Sequence, residues 1–233
     1  MTELEADCSR CVGLCCVVPA FGRSADFAID KPARTPCPHL GGDHLCTIHE
    51  VLPERGFRGC TVYDCFGAGQ FVVQDLFGGA APSPAMFDAF EVVERLHELL
   101  WYLADARSRP EAAPLHDEVD GLRDRVSAAA RSPHDVDVTV LQSRCGALLD
   151  EVSGLVRAGG PSLRHADLAG RDLREEDLYA ADLRGAVLIG ADLRGVDLGP
   201  ADLLGADLRD ARVAGADLSQ ALFLTRLQVR AAR

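Results

Sequence analysis

Residues 181–210 read ADLRGAVLIGADLRGVDLGPADLLGADLRD, and the same five-residue phrase runs from Leu163 to Phe223. Its central position is Leu at 163, 168, 173, 178, 183, 188, 193, 198, 203, 208 and 218, with Val213 and Phe223 keeping the register. Two residues earlier stand Ala166, Ala181, Ala186, Ala191, Ala201, Ala206, Ala211, Ala216 and Ala221, usually followed by Asp. A fixed internal period of this kind takes precedence over local propensity. A helix would carry the leucines round its axis, and a strand would place successive ones on opposite faces. Four five-residue sides closing one square turn keep every leucine inward. Gly170, Gly185, Gly190, Gly195, Gly205 and Gly215 fall two residues after a central position. They suit the third place of a type II turn, which requires positive φ.

These residues resemble the pentapeptide-repeat family, written A-(D/N)-L-x-x. The resemblance implies a right-handed quadrilateral β-helix over 163–223, of about three coils at the usual ~4.8 Å strand spacing. Arg171 and Glu176 depart from it by placing charge at positions reserved for small inward residues. An unpaired charge there would be costly, so the first coil should be distorted or open. Leu224, Leu227 and Val229 suggest that residues 224–233 form a C-terminal cap over the last coil, as solenoid ends require.

Residues 83–158 have helical periodicity. Ser83-Pro84 gives a cap with proline at the first helical position. Met86, Phe90, Val93, Leu96, Leu100 and Leu103 then form one stripe. Leu115, Val119, Leu122 and Val126 form a second, and Leu141, Cys145, Leu148, Val152 and Leu155 a third. Three such helices with short joins read as a small α-helical bundle or linker. Cys145, on an apolar stripe, reads as a buried small hydrophobe.

Residues 1–80 form a cysteine-rich segment with Gly and Pro and little periodicity. Phe71-Val72-Val73 is its one strand-like run. Eight of the nine cysteines lie here: Cys8, Cys11, Cys15, Cys16, Cys37, Cys46, Cys60 and Cys65. Cys8 and Cys11, two residues apart, can grip one ion from a single turn. Side chains of the adjacent Cys15 and Cys16 diverge, so the two serve different roles or only one binds. Eight thiolates suffice for two four-thiolate sites. Their softness favours zinc, copper(I) or an iron–sulfur cluster such as [4Fe–4S] over magnesium or calcium. His39, His44 and His49 fit structural roles better than ligation. Tyr63, Asp64 and Gln70 flank the last cysteine and read equally well as site or loop residues.

The order of these cysteines resembles a family of zinc- or iron-chelating domains named for a CxxCxxCC motif. Pro36-Cys37-Pro38-His39-Leu40, Leu45-Cys46-Thr47-Ile48-His49-Glu50 and Cys60 follow the opening cluster as family members have them. Here Cys11 and Cys15 are separated by one residue more than the motif, and Arg55-Gly56-Phe57-Arg58-Gly59 replaces the usual Arg-Pro element before Cys60. The resemblance implies metal chelation by this segment.

A formal charge of −12 argues against direct nucleic-acid binding, which needs a basic surface. The basic residues are arginines apart from Lys31. No apolar run is long enough for a membrane span, and the acidic start, Thr2-Glu3-Leu4-Glu5-Ala6-Asp7, does not read as a secretory signal. The expected setting is cytoplasmic, where clustered thiols bind metal more often than they pair. No phosphate loop, nucleophile elbow or zinc-protease helix is visible. The reading that results is a non-catalytic metal-binding interaction protein, with iron–sulfur cluster or zinc and an unidentified protein partner. Two alternatives stay open. One is a redox enzyme or accessory using a cysteine-ligated cluster. The other, implied by the repeat family, is a DNA mimic that regulates DNA gyrase. Twelve acidic residues against seven arginines from Leu163 to Phe223 count against a mimic, because duplex DNA carries a charge about every 1.7 Å.

Overall fold

The computed structural model describes residues 3–233. Two compact units make up the chain: one contains residues up to Trp101 together with Gly121–Cys145, the other Tyr102–Asp120 with Gly146–Arg233. Its helices are α1 (Leu14–Val17), α2 (Arg58–Thr61), α3 (Ala68–Gln70), α4 (Pro84–Ser108), α5 (His116–Arg131), α6 (Val138–Arg157) and α7 (Arg226–Ala231). None is long and apolar enough to cross a membrane.

The repeats correct one expectation. A β-helix should present strands, yet 162–223 contains none. Helix accounts for 43% of the chain and strand or bridge for only 7%. What joins the repeats is a series of isolated parallel bridges at a spacing of twenty residues, such as Ser162↔Asp182, Asp182↔Asp202 and Asp202↔Leu222. The reason lies in the brevity of the unit. Each five-residue side closes with a turn, as in Ala186 N–H to the Leu183 carbonyl at 2.9 Å and Ala191 N–H to the Leu188 carbonyl at 3.0 Å. One residue per side is left to bridge, so pairing never propagates into a ladder.

The inward assignment of the side chains agrees with the periodicity. Leu183, Leu203 and Phe223, twenty residues apart, are fully buried, as are Ala181, Ala191, Ala201 and Ala211. Leu168 to Leu208 and the intervening alanines form one continuous apolar cluster. At Gly185 φ is +64°, and a Cβ there would strike the His165 ring; the turn and the close approach both require glycine. Arg171 and Glu176 are exposed. The first coil keeps its bridge Asp172↔Asp192 while turning these charges out to water. Ala191→Leu should overpack this core and cost about 1–3 kcal/mol, whereas Arg194→Ala, on an exposed side chain, should be nearly neutral. Denaturant titration of the two variants checks the assignment.

The end of the coil is closed by α7. Thr225 and Gln228 form a capping box, and Gln228 Nε2 donates to the carbonyls of Leu203 (2.6 Å) and Ala206 (2.9 Å). The Asp210 and Val213 N–H groups donate to the carbonyls of Ala231 and Arg233. Backbone groups that a further coil would have paired are thereby satisfied.

Two other expectations change. Phe71-Val72-Val73 is not a strand: Phe71–Leu76 continues α3 as a π-helical turn. Val72 and Val73 are buried with Met86, Phe90 and Val93, and this packing overrides β-propensity. On α6, Cys145, Leu148 and Val152 are buried as the stripe predicts, but Leu155 is 44% exposed and Leu149 and Val156 are buried instead.

Candidate metal centre

The eight cysteines are carried by short, irregular elements held by specific latches. Cys8 opens a 3-10 turn, Cys8–Arg10, capped by the Asp7 carboxylate, which accepts from Ser9 N–H at 3.0 Å. Gln70, only 3% exposed, ties this segment to α3. Its Oε1 accepts from Asp7 N–H and its Nε2 donates to the Glu5 carbonyl at 2.6 Å. Gln74 Nε2 donates to the Arg10 carbonyl. Cys15 and Cys16 lie on α1, which starts after Gly13 in the left-handed region. Cys37 N–H donates to the Cys16 carbonyl at 2.9 Å, and a bridge between Leu40 and Cys46 closes the next loop.

The thiols separate into two groups. Cys11, Cys15 and Cys65 pack against the cluster formed by Leu14, Val18, Val72 and Phe90. Cys46 and Cys60 pack against Ile48, Leu52 and Phe57. Electrostatic interaction does not follow that division cleanly, because Cys16 acts on Cys8 and Cys15 as well as on Cys46 and Cys60. Cys65 is pushed up to about 11 by burial, with Cys11 and Asp64 adding to the effect. Cys60 reaches about 11, again chiefly by burial, with Cys16, Cys37 and Cys46 contributing. Cys8 is raised by burial and then by Cys11 and Cys16. Cys11, Cys15 and Cys65 thus share one neighbourhood and Cys46 and Cys60 another, with Cys16 acting on members of both. The adjacent Cys15 and Cys16 have their sulfurs 4.0 Å apart. Their contact raises Cys15 strongly and brings Cys16 down to about 7.

Two local features suit thiolates. A Cβ on Gly69 would lie 2.8 Å from the Cys11 sulfur and 3.7 Å from that of Cys65, so glycine keeps space where these sulfurs gather. Peptide N–H groups of Gly69 and Gly67 also favour the ionised form of Cys65, and that of Ile48 does so at Cys46. All nine cysteines are free of disulfides. Among the described residues, no three Cys, His, Asp or Glu side chains converge closely enough to hold an ion as they stand.

Several of the remaining residues singled out in the sequence are held in local contacts. His39 meets the Phe57 ring edge-on at 5.1 Å, and its carbonyl accepts from Thr47. His44, in the left-handed region, and His49 are exposed. Tyr63 donates its hydroxyl to Glu94 at 2.5 Å, and Asp64 accepts from Phe66 N–H. Cys145 is fully buried on α6, and burial lifts its thiol to about 11. Lys31, 3% exposed, escaped the sequence reading. Its one signal was being the only lysine of the chain.

Residues 162–199 and 201–223 match the pentapeptide-repeat family in eight copies. Uncharacterized protein YybG of Bacillus subtilis (strain 168) is 45% identical over 135 residues, 55% of this chain and 48% of the relative. The chain thus spans about half the length of that curated relative.

Proposed function

We propose that this pentapeptide-repeat protein is a non-catalytic interaction protein whose cysteine segment is held together by thiolate-bound metal. Zinc and an iron–sulfur cluster share the required chemistry, four soft thiolate ligands per centre. The observation that carries the reading is the gathering of Cys11, Cys15 and Cys65 against one apolar cluster and of Cys46 and Cys60 against another; the two sets proposed from it are Cys8, Cys11, Cys15 and Cys65, and Cys16, Cys37, Cys46 and Cys60. Each set mixes ligands from distant segments, so an ion would link loops that share little apolar core. Most of these thiols resist ionisation, through burial and each other's charge. A cation reverses that balance, because thiolate ligands are stabilised by the metal's own charge.

The repeats suit an interaction role better than mimicry of DNA. Their outward acids are matched locally by arginine, with Asp172 paired to Arg174, Asp192 to Arg194 and Asp207 to Arg209. Such pairing breaks up the sustained negative field that a mimic requires.

Ligand substitution tests the assignment. Cys11→Ser should lose the metal of the first set and Cys60→Ser that of the second, each by metal analysis of anaerobically purified protein. Cys145→Ser should retain both. Equal metal content in all three variants would contradict the two-set assignment.

A further inference from the structure

The two ends of the repeat coil are finished in different ways. In later coils the N–H before the central position bonds back to the coil beneath, as Val187 does to the Ala166 carbonyl (2.9 Å), Asp192 to Arg171 (2.8 Å) and Arg212 to Ala191 (2.8 Å). The corresponding N–H groups of Asp167 and Asp172 in the first coil make no backbone bond among the described residues. Their bridges run forward only, to Val187 and Asp192, whereas the last coil is closed by the carbonyls of Ala231 and Arg233. Entry of the chain covers one corner of the open end, where Arg157 Nη1 donates to the Ala180 carbonyl at 3.1 Å. This end also carries both charges that break the repeat. Arg171 and Glu176 take inward places on consecutive sides of the first coil and are exposed. Above Arg171 in its column stand Ala191 and Ala211, and above Glu176 stands Val196, all buried. A long side chain at either place can leave that packed column only through the open end. The edge is distorted there as well: Asp197 bridges to Asp217, but Asp177 bridges to no described residue.

We propose that Arg171 and Glu176 guard the open end of the coil, holding off a second copy of this chain that would otherwise stack on it. Unpaired N–H and C=O groups along a sheet edge are a template for pairing with another chain. A second copy fits that template because it presents the same unpaired edge over the same apolar column. Its first coil would have to approach to ~4.8 Å for bridges to form. The Arg171 and Glu176 side chains stand in the layer it must enter, at places where the later coils admit only alanine or valine. Stacking would also strip water from both charges. Even where Arg171 of one copy met Glu176 of the other, a pair desolvated in this way gains little over apolar contact. This inference is independent of metal binding.

The test is sedimentation equilibrium of the full chain over a concentration series, with amide hydrogen exchange as a second readout. Arg171→Ala with Glu176→Ala gives the first coil the small residues of the others. Its average mass should rise with concentration toward double that of the parent, and its Asp167 and Asp172 amides should gain protection as it associates. Arg171→Lys with Glu176→Asp keeps both charges and should stay at the parent's mass. Adding Ala166→Arg to the alanine variant returns a charge to another inward place of the same coil and should restore the parent's mass. An alanine variant that keeps the parent's mass at every concentration would overturn the proposal. Association without added protection at Asp167 and Asp172 would overturn it too, because the copies would then meet elsewhere.

Discussion

Asp202→Ala is expected to destabilise the repeat unit by about 3–5 kcal/mol, the usual cost of removing one partner of a buried ion pair. Asp202 is fully buried. Its Oδ2 accepts from Arg184 Nη2 at 2.7 Å and Nε at 3.1 Å, and its Oδ1 accepts from Leu204 N–H at 2.9 Å. Arg184 is itself 8% exposed, reaches the Leu149 carbonyl at 3.0 Å and lies over the Phe223 ring. Deleting the carboxylate leaves the guanidinium with only the more distant Asp150 carboxylate, at 3.6 Å, in a place water barely reaches. Replacing both partners, as in Asp202→Ala with Arg184→Met, should recover much of the loss, because two charges no longer need burial. Hydrogen exchange of the 162–223 amides across a denaturant series gives the comparison. A single variant as stable as the parent would show that the pair is not a structural anchor.

Metal removal is expected to have a still larger effect on the other unit. Structural thiolate metal sites contribute on the order of 10 kcal/mol to folding. The cysteine segment has only modest cores of its own, Ile48, Leu52 and Phe57 in one place and the residues around Leu14 and Val18 in another. Chelation under reducing conditions should therefore abolish amide protection over residues 8–65. The repeats, with their own apolar stack, should keep theirs. Loss confined to the cysteine segment separates this account from general unfolding, and unchanged protection there would contradict it.

The repeat segment was legible because period five leaves few ways to keep Leu183, Leu203 and Phe223 on one side. Burial followed the pattern residue by residue. The pattern reports which side chains point inward but not how many backbone groups pair, and the expected strands proved to be single bridges between turns. Arg184 shows a second limit. It occupies the same place in its repeat as the exposed Arg194, yet it is buried beside Leu149. No spacing within the repeat distinguishes the two.

In the cysteine segment, the sequence identified the ligand candidates but not their partition. Cys8 and Cys11 form a visible pair. That Cys15 packs with Cys11 and Cys65 while Cys46 and Cys60 pack elsewhere depends on the single helical turn of α1 and on loops without periodicity. Lys31 was hidden for a related reason: burial of a lone lysine is set by three carbonyls from irregular backbone, those of Val17, Pro19 and Pro32, a contact no local motif announces. Phe71-Val72-Val73 misled because β-branched residues suit any well-packed apolar surface, helical ones included.

The central claim is that the eight clustered cysteines hold metal in two sets. Its most direct test is metal, acid-labile sulfide and reactive-thiol content of wild-type protein purified without air. The account predicts two thiolate-bound centres per chain and protection of Cys8, Cys11, Cys15, Cys16, Cys37, Cys46, Cys60 and Cys65 from alkylation. A brown protein bleached by dithionite would identify iron–sulfur clusters, and a colourless one with stoichiometric zinc would identify zinc. Protein with no bound metal, eight freely alkylated thiols and an unchanged fold would contradict the claim.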